Sequence, residues 1–83
     1  MFVTIRLFAR LREIVGDGEL TRELPEGATT QTAWDALTRE FPGLAGYRSS
    51  VSSAVNEEYA PFTTPLNDGD EVAFLPPVSG GNL

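Results

Sequence analysis

Two stretches of alternating apolar and polar residues lie near the start of the chain. In Phe2 to Phe8 the odd-numbered positions are all aliphatic, which predicts a β-strand with one buried face. Glu19 to Leu24 alternates again and predicts a second strand, antiparallel to the first, after the turn Gly16 to Gly18. Residues 9–16 carry apolar side chains at helical spacing, so a short helix that ends at Gly16 is predicted between the two strands.

A longer helix is predicted after the segment PEGATT, in which Pro and Gly favour a turn and Thr29 is the expected N-cap. Its apolar stripe would consist of Thr30, Trp34, Leu37 and Phe41. Pro42 and Gly43 are expected to end the helix. We therefore expect this helix to lie across one face of a sheet, with Trp34 in the core and not in a ligand site.

Shorter elements are predicted in the second half of the chain. Residues 44–50 have no clear periodicity and are expected to form a loop. Val51 to Val55 predicts a short strand, and Asn56 to Tyr59 predicts a tight turn into another. The segment PLNDGDE predicts a turn in which Leu66 is buried, and the alternation from Glu71 to Leu75 predicts the last strand.

The predicted order β, short α, β, α, β, β, β fits a two-layer α+β domain. A hairpin, a helix over one sheet face and a last strand that returns parallel to the first together form the β-grasp plan of ubiquitin-like proteins. We predict a mixed four- to five-stranded sheet with one main helix packed on one face and a short second helix. The expected boundaries are residues 1–77 for this domain and 78–83 for a flexible C-terminal arm with the Gly-Gly motif.

The uncovered face of this sheet is expected to show Phe8, Tyr59 and Leu75, which the alternation places opposite the helix. If the three side chains are exposed together, they form an apolar surface that would bind another protein. The alternative is that loops cover part of them.

Composition and charge limit the possible functions. With 83 residues the chain forms one small domain, for which we expect a net stability of roughly 4–12 kcal/mol. The net charge is −6, which argues against nucleic acid or a membrane surface as a partner and favours a basic protein surface. We expect no signal peptide, and the absence of Cys fits a cytoplasmic protein.

Several residue types that carry out catalysis are missing. The chain has no His and no Cys, and its six basic residues are all Arg. The usual general base, the thiol nucleophile, the Schiff-base amine and the soft metal ligands are therefore lacking. We predict that the chain is not an enzyme by itself, and that it binds neither a cofactor nor a metal ion.

The segment FLPPVSGG, from Phe74 to Gly81, has a distinctive end. Pro76 and Pro77 are expected to end the last strand and to direct the chain onward in an extended form. Residues 78–81 could then reach roughly 13 Å, and two glycines would pass through a narrow channel without side-chain obstruction. The alternative is an ordinary frayed terminus.

A family resemblance decides between these alternatives. AVNEEYAPFTTPLNDGDEVAFLPPVSGG, residues 54–81, and LFARLREIVG, residues 7–16, strongly resemble MoaD, the small sulfur-carrier subunit of molybdopterin synthase. The likeness covers essentially the whole chain in order and spacing, and DGDEVAFLPPVSGG is its specific part. It implies a β-grasp fold and makes the tail the working end of the molecule.

The resemblance also implies a reaction sequence. An E1-like enzyme would use ATP to adenylate the carboxylate of Gly81, which would then be converted to a thiocarboxylate. The carrier would dock on the large subunit of molybdopterin synthase and deliver its sulfur to cyclic pyranopterin monophosphate. Gly80 would allow close passage through the partner's channel. Partner-binding residues would be Phe8, Tyr59, Leu75, Pro76, Pro77, Val78 and Ser79.

Three acidic residues, Asp68, Asp70 and Glu71, would either pair with basic groups on the activating enzyme or be solvated turn carboxylates. Asn82 and Leu83 depart from the family pattern, because they place the carboxyl carbon of Gly81 in a peptide bond. A protease removes the dipeptide, or the dipeptide is a cloning remnant, or this homologue does not carry sulfur; we expect one of the first two. Open alternatives are a sulfur carrier of cysteine or thiamine thiazole synthesis and a ubiquitin-like binding module or modifier.

Overall fold

A computed structural model describes residues 1–77. The predictions for Val78, Ser79, Gly80 and Gly81, and for the arm formed by residues 78–83, concern residues outside the described part of the chain. The elements are β1 (Phe2–Leu7), α1 (Ala9–Val15), β2 (Glu19–Glu23), α2 (Thr30–Glu40), a 3₁₀-helix (Pro42–Tyr47), β3 (Ser52–Val55), β4 (Glu58–Tyr59) and β5 (Glu71–Leu75).

The five strands form one mixed sheet in the order β2-β1-β5-β3-β4. β1 and β5 run parallel, with Ile5 opposite Val72, whereas β2 pairs antiparallel with β1 and β3 pairs antiparallel with β5. The last strand thus returns to the middle of the sheet beside the first. This arrangement confirms the predicted β-grasp plan.

The core lies between the sheet and α2. From the sheet it receives Val3, Ile5, Leu7, Val72 and Phe74, all at most 1% exposed. Trp34 of α2 is 2% exposed, and its ring meets the ring of Phe74 edge-on at a centroid distance of 5.0 Å. Such aromatic pairs add to the gain from area burial, so the predicted structural role of Trp34 is confirmed.

Local signals determine where the two α-helices begin and end. Gly16 follows α1 with φ +88°, and its N–H donates to the carbonyl of Arg12 at 2.8 Å, which is the predicted glycine stop. Thr29 is the N-cap of α2, and its hydroxyl accepts from the N–H of Thr32. The Thr32 hydroxyl in turn accepts from the N–H of Thr29 at 3.0 Å, so threonine completes a capping box in which Glu or Gln is usual.

The prediction of a loop over residues 44–50 is wrong for its first half. α2 ends at Glu40 as expected, but Pro42 occupies the first turn of the 3₁₀-helix, where its fixed φ is compatible with helical backbone. Leu44, in the middle of this helix, is completely buried. A single buried side chain in a six-residue segment has no detectable periodicity, so only the folded core shows why the segment is helical.

None of the helices within residues 1–77 combines the length and the apolar character needed to cross a membrane.

Candidate functional site

The sheet face opposite α2 carries a shallow pocket of about 230 Å³. Strand pairing builds its floor, because Ala54 lies beside both Ala73 and Tyr59 in the sheet. The small alanine side chains leave a depression between larger neighbours. The lining consists of Arg6, Phe8, Ala54, Glu57, Tyr59, Glu71, Ala73 and Leu75.

The structure brings together the three apolar residues that were predicted for this face. Tyr59 is 79% exposed, Phe8 is 37% exposed and Leu75 is half-buried, and all three line the pocket. Tyr59 also borders a second depression of about 370 Å³, on the side of Pro61 and Phe62. An exposed aromatic residue between two depressions is a typical anchor for protein binding.

The exit toward the C-terminal residues lies at the end of β5. Pro76 is half-buried and Pro77 is exposed, and both come directly after the pocket residue Leu75. Neither proline lines the pocket. The described part of the chain therefore ends two residues after the strand that supplies one wall of the candidate site.

Arg6 and Glu71 belong to this pocket, although alternation in the sequence indicates only that Arg6 shares a sheet face with Phe8. The guanidinium of Arg6 lies 3.8 Å from the Glu71 carboxylate and 3.9 Å from the Glu19 carboxylate. It also lies 5.6 Å from the centre of the Phe8 ring, within the range of a cation–π contact. These contacts hold Arg6 beside the apolar residues. The contact with Glu71 depends on the pairing of β1 with β5 and the contact with Glu19 on the pairing of β1 with β2, so neither leaves a signal in the local sequence.

The acidic turn before β5 is engaged within the chain. Asp68 accepts from the N–H of Phe2 at 2.7 Å, and Asp70 accepts from the N–H of Asn67 at 2.8 Å and from the side-chain amide of Asn56 at 3.0 Å. These bonds support the prediction of turn carboxylates. Pairing of the same residues with an activating enzyme stays a prediction.

The pocket suits a protein partner better than a small molecule. Its volume of about 230 Å³ is below the roughly 300–1,000 Å³ typical of small-molecule sites. Phe8, Tyr59 and Arg6 line it, and these are residue types that are enriched in protein interfaces. His, Cys and Lys are absent from the whole chain, so the surface offers contacts but not the usual acid–base or nucleophilic groups.

Comparison with known proteins identifies the family. The model of the ThiS family matches residues 5–81, a range that includes the whole pocket and ends at the second glycine of the Gly-Gly motif. The chain belongs to the ThiS family. Among curated ThiS-like relatives, the molybdopterin synthase sulfur carrier subunit of Arabidopsis thaliana is 44% identical over 79 residues, which cover 95% of this chain and 82% of the relative.

Solved structures agree with this assignment. SAMP1 from Haloferax volcanii superposes with a TM-score of 0.87 and 31% identity, over 98% of this chain and 100% of the other. A chain from the complex of subunits 1 and 2 of the molybdopterin-converting factor of Helicobacter pylori gives a TM-score of 0.68 and 27% identity, over 98% of this chain and 100% of the other. The fold and the resemblance predicted from the sequence are both confirmed.

Proposed function

We propose that this chain is the sulfur carrier subunit of a molybdopterin synthase and takes part in molybdenum cofactor biosynthesis without being a catalyst itself. The observation that carries the proposal is the 44% identity to the sulfur carrier subunit of Arabidopsis thaliana over 95% of the chain. The ThiS family match that extends through Gly81 supports it. The cytoplasm remains the expected compartment.

The proposed chemistry takes place at Gly81, and partners supply the reactive groups. A carboxylate is a poor electrophile, so an E1-like enzyme first joins it to AMP from ATP and releases pyrophosphate. A sulfur donor then displaces AMP and leaves a thiocarboxylate. The large subunit would transfer this sulfur to cyclic pyranopterin monophosphate, while the chain described here only carries and presents it.

Adenylation at Gly81 needs a free carboxyl group. In the printed sequence Asn82 and Leu83 follow Gly81, so a protease would have to remove them before the carrier is loaded. Gly80 and Gly81 lack a Cβ and would pass through a partner's channel unhindered, and Val78 and Ser79 would contact its wall.

We propose the pocket around Phe8, Tyr59 and Leu75 as the surface that docks the large subunit, with Pro76 and Pro77 directing the tail from its edge. The structure of the Helicobacter pylori relative with subunit 2 supports a partner of this kind. Burying each of the three side chains would contribute about 1.5–3 kcal/mol before the cost of association is subtracted. Nucleic acid and membranes are not proposed as partners.

The decisive experiment compares the chain ending at Gly81 with the chain ending at Leu83. Each is incubated with ATP, a sulfur donor and the E1-like enzyme, and its intact mass is measured. We expect the mass of the chain ending at Gly81 to rise by the difference between sulfur and oxygen. The mass of the chain ending at Leu83 should not change. No gain in the chain ending at Gly81 would exclude the carrier function.

Addition of the large subunit and cyclic pyranopterin monophosphate then tests the pathway. Formation of a complex and a dithiolene product, with loss of the added sulfur, is expected for a molybdopterin synthase subunit. Sulfuration without a complex would instead indicate a carrier of cysteine or thiamine thiazole synthesis. Covalent attachment of Gly81 to other proteins would indicate a modifier.

A further inference from the structure

The turn between β3 and β4 has an unusual residue in its second position. Its two residues, Asn56 and Glu57, have φ +50° and +70°. Positive φ at both central residues of a two-residue hairpin loop corresponds to a type I′ turn, in which Asn-Gly is the preferred pair. A side chain at positive φ is sterically disfavoured, because its Cβ crowds the backbone. The chain therefore has Glu57 where glycine would be less strained.

Asn56 is explained by the fold. Its side-chain oxygen accepts from the N–H of Glu71 at 3.0 Å, its amide donates to Asp70 at 3.0 Å, and its backbone N–H donates to the carbonyl of Glu71 at 2.8 Å. These three bonds fix the turn to the start of β5. Asn also tolerates the left-handed conformation better than most residues.

Glu57 has no comparable role in the fold. Its side chain is exposed and, within residues 1–77, makes no hydrogen bond or ion pair. Backbone strain that the surrounding fold does not use is often found at functional sites. Glu57 does not stabilise the turn, so we look for a function of its carboxylate.

The position of this carboxylate indicates what it would meet. Glu57 lines the same pocket as Phe8, Tyr59 and Leu75. Arg6, the cation of that pocket, lies within 4 Å of two other carboxylates, those of Glu19 and Glu71. Glu57 thus adds a negative charge that Arg6 does not neutralise, on a protein whose net charge is already −6.

We propose that Glu57 determines partner specificity at the docking surface: its carboxylate receives a basic side chain of the large subunit next to the apolar contacts of the pocket. This inference rests on the proposed function. A charge at the edge of an interface acts mainly on the rate of association and on the choice of partner. The strained turn holds the Glu57 carboxylate at the pocket. Glycine at this position would relieve the strain but would carry no charge.

The test measures association and dissociation rates with the molybdopterin synthase large subunit of the same organism, at low salt and near 1 M salt. Glu57→Gln removes the charge and keeps the side-chain length. Glu58→Gln is the matched control, because Glu58 is exposed, lies one residue further on and does not line the pocket. Glu57→Gly removes the charge and relieves the backbone strain.

At low salt we expect Glu57→Gln to lower the association rate about threefold and leave the dissociation rate nearly unchanged. Near 1 M salt, where the screening length is about 3 Å, the difference from wild type should disappear. Glu58→Gln should have a clearly smaller effect. Glu57→Gly should bind as weakly as Glu57→Gln and also unfold about 4 °C higher, because the turn is relaxed.

The inference is overturned if Glu57→Gln associates as fast as wild type, or if Glu58→Gln has an equal effect. In both cases the wild-type complex still forms, so the proposed function stands. If wild-type protein forms no complex with the large subunit, the proposed function itself fails and the role of Glu57 fails with it.

Discussion

The backbone N–H of Phe2 donates a hydrogen bond of 2.7 Å to the carboxylate of Asp68, a residue 66 positions further along the chain. The N–H of Gly69 returns a bond of 2.8 Å to the carbonyl of Phe2. The two bonds join the start of β1 to the turn that precedes β5. They support the register that places Arg6 beside Ala73, on which the pocket depends.

Replacing Asp68 with alanine should therefore destabilise the fold. We expect Asp68→Ala to lower the free energy of unfolding by about 1 kcal/mol, since the N–H of Phe2 loses a charged acceptor but can still reach water. Urea denaturation followed by circular dichroism measures the change. Asp68→Asn keeps an acceptor oxygen and should lower the free energy of unfolding by less. Equal unfolding midpoints for wild type and Asp68→Ala would contradict this structural role.

Removing the aromatic centre of the core should have a much larger effect. Trp34→Ala should lower the free energy of unfolding by about 3–5 kcal/mol, because the buried ring packs against Phe74 and Phe62. This is a large part of the roughly 4–12 kcal/mol expected for a domain of this size. Arg39→Ala, at an exposed position of the same helix, is the control and should stay within about 0.5 kcal/mol of wild type.

Tyr59 should matter for binding and not for folding. Its side chain is 79% exposed, so Tyr59→Ala should leave the free energy of unfolding within about 0.5 kcal/mol of wild type. Affinity for the large subunit should fall roughly tenfold, mainly through faster dissociation, as expected for an aromatic anchor. Surface plasmon resonance measures both rates.

Phe2→Ala is a matched control for Tyr59→Ala. Phe2 is 55% exposed and lies on the same sheet face, but it pairs with Glu23 in β2 and does not line the pocket. We expect its affinity for the large subunit to equal that of wild type. If both variants bind equally weakly, or if neither loses affinity, the pocket is not the docking surface.

An ion pair between Arg22 and Glu40 should make stability depend on pH. Arg22 donates two hydrogen bonds to the Glu40 carboxylate, at 2.8 and 2.6 Å, and these hold the pKa of Glu40 below its ordinary value of 4.5. Because the pKa of Glu40 is lower in the folded than in the unfolded state, the ion pair stabilises the fold at pH values above the unfolded-state pKa. This contribution is lost as the pH falls through the folded-state pKa. The pair joins β2 to the end of α2, so it acts on the folded state.

We therefore expect Glu40→Gln to melt at a lower temperature than wild type at neutral pH, and the difference to vanish in strong acid. Thermal unfolding followed by circular dichroism from neutral to strongly acidic pH measures it. In an Arg22→Gln background the same substitution should have little effect at any pH. A difference that persists in acid would show that the side chain acts through packing and not through its charge.

The sequence pattern was sufficient to predict the elements that depend on local signals. Gly16 ends α1 because a residue without Cβ enters the left-handed region most easily, and Thr29 begins α2 because its hydroxyl can accept a backbone N–H. The alternation in β1 and β5 predicted which of their faces is buried. The 3₁₀-helix was missed, because Leu44 is its one fully buried residue and a single buried residue has no period.

The pocket could be predicted only in part. Phe8, Tyr59 and Leu75 were assigned to the open face by alternation, since successive strand residues point to opposite faces. Alternation also puts Arg6 on this face, but its contact with Glu71 depends on pairing with a strand more than sixty residues away. Glu57 was not assigned, because it reaches the pocket through a turn of left-handed backbone.

By itself, the sequence determined the order of the strands and of the two α-helices, the buried faces of β1 and β5, the lack of the usual catalytic groups and the position of the Gly-Gly motif. These properties follow from local backbone preferences and from the chemistry of single side chains. Only the tertiary structure decided that Asp68 links to Phe2 and that Arg6, Glu57 and Tyr59 share one pocket. Such contacts depend on strand register, which is fixed when distant segments pack against a common core.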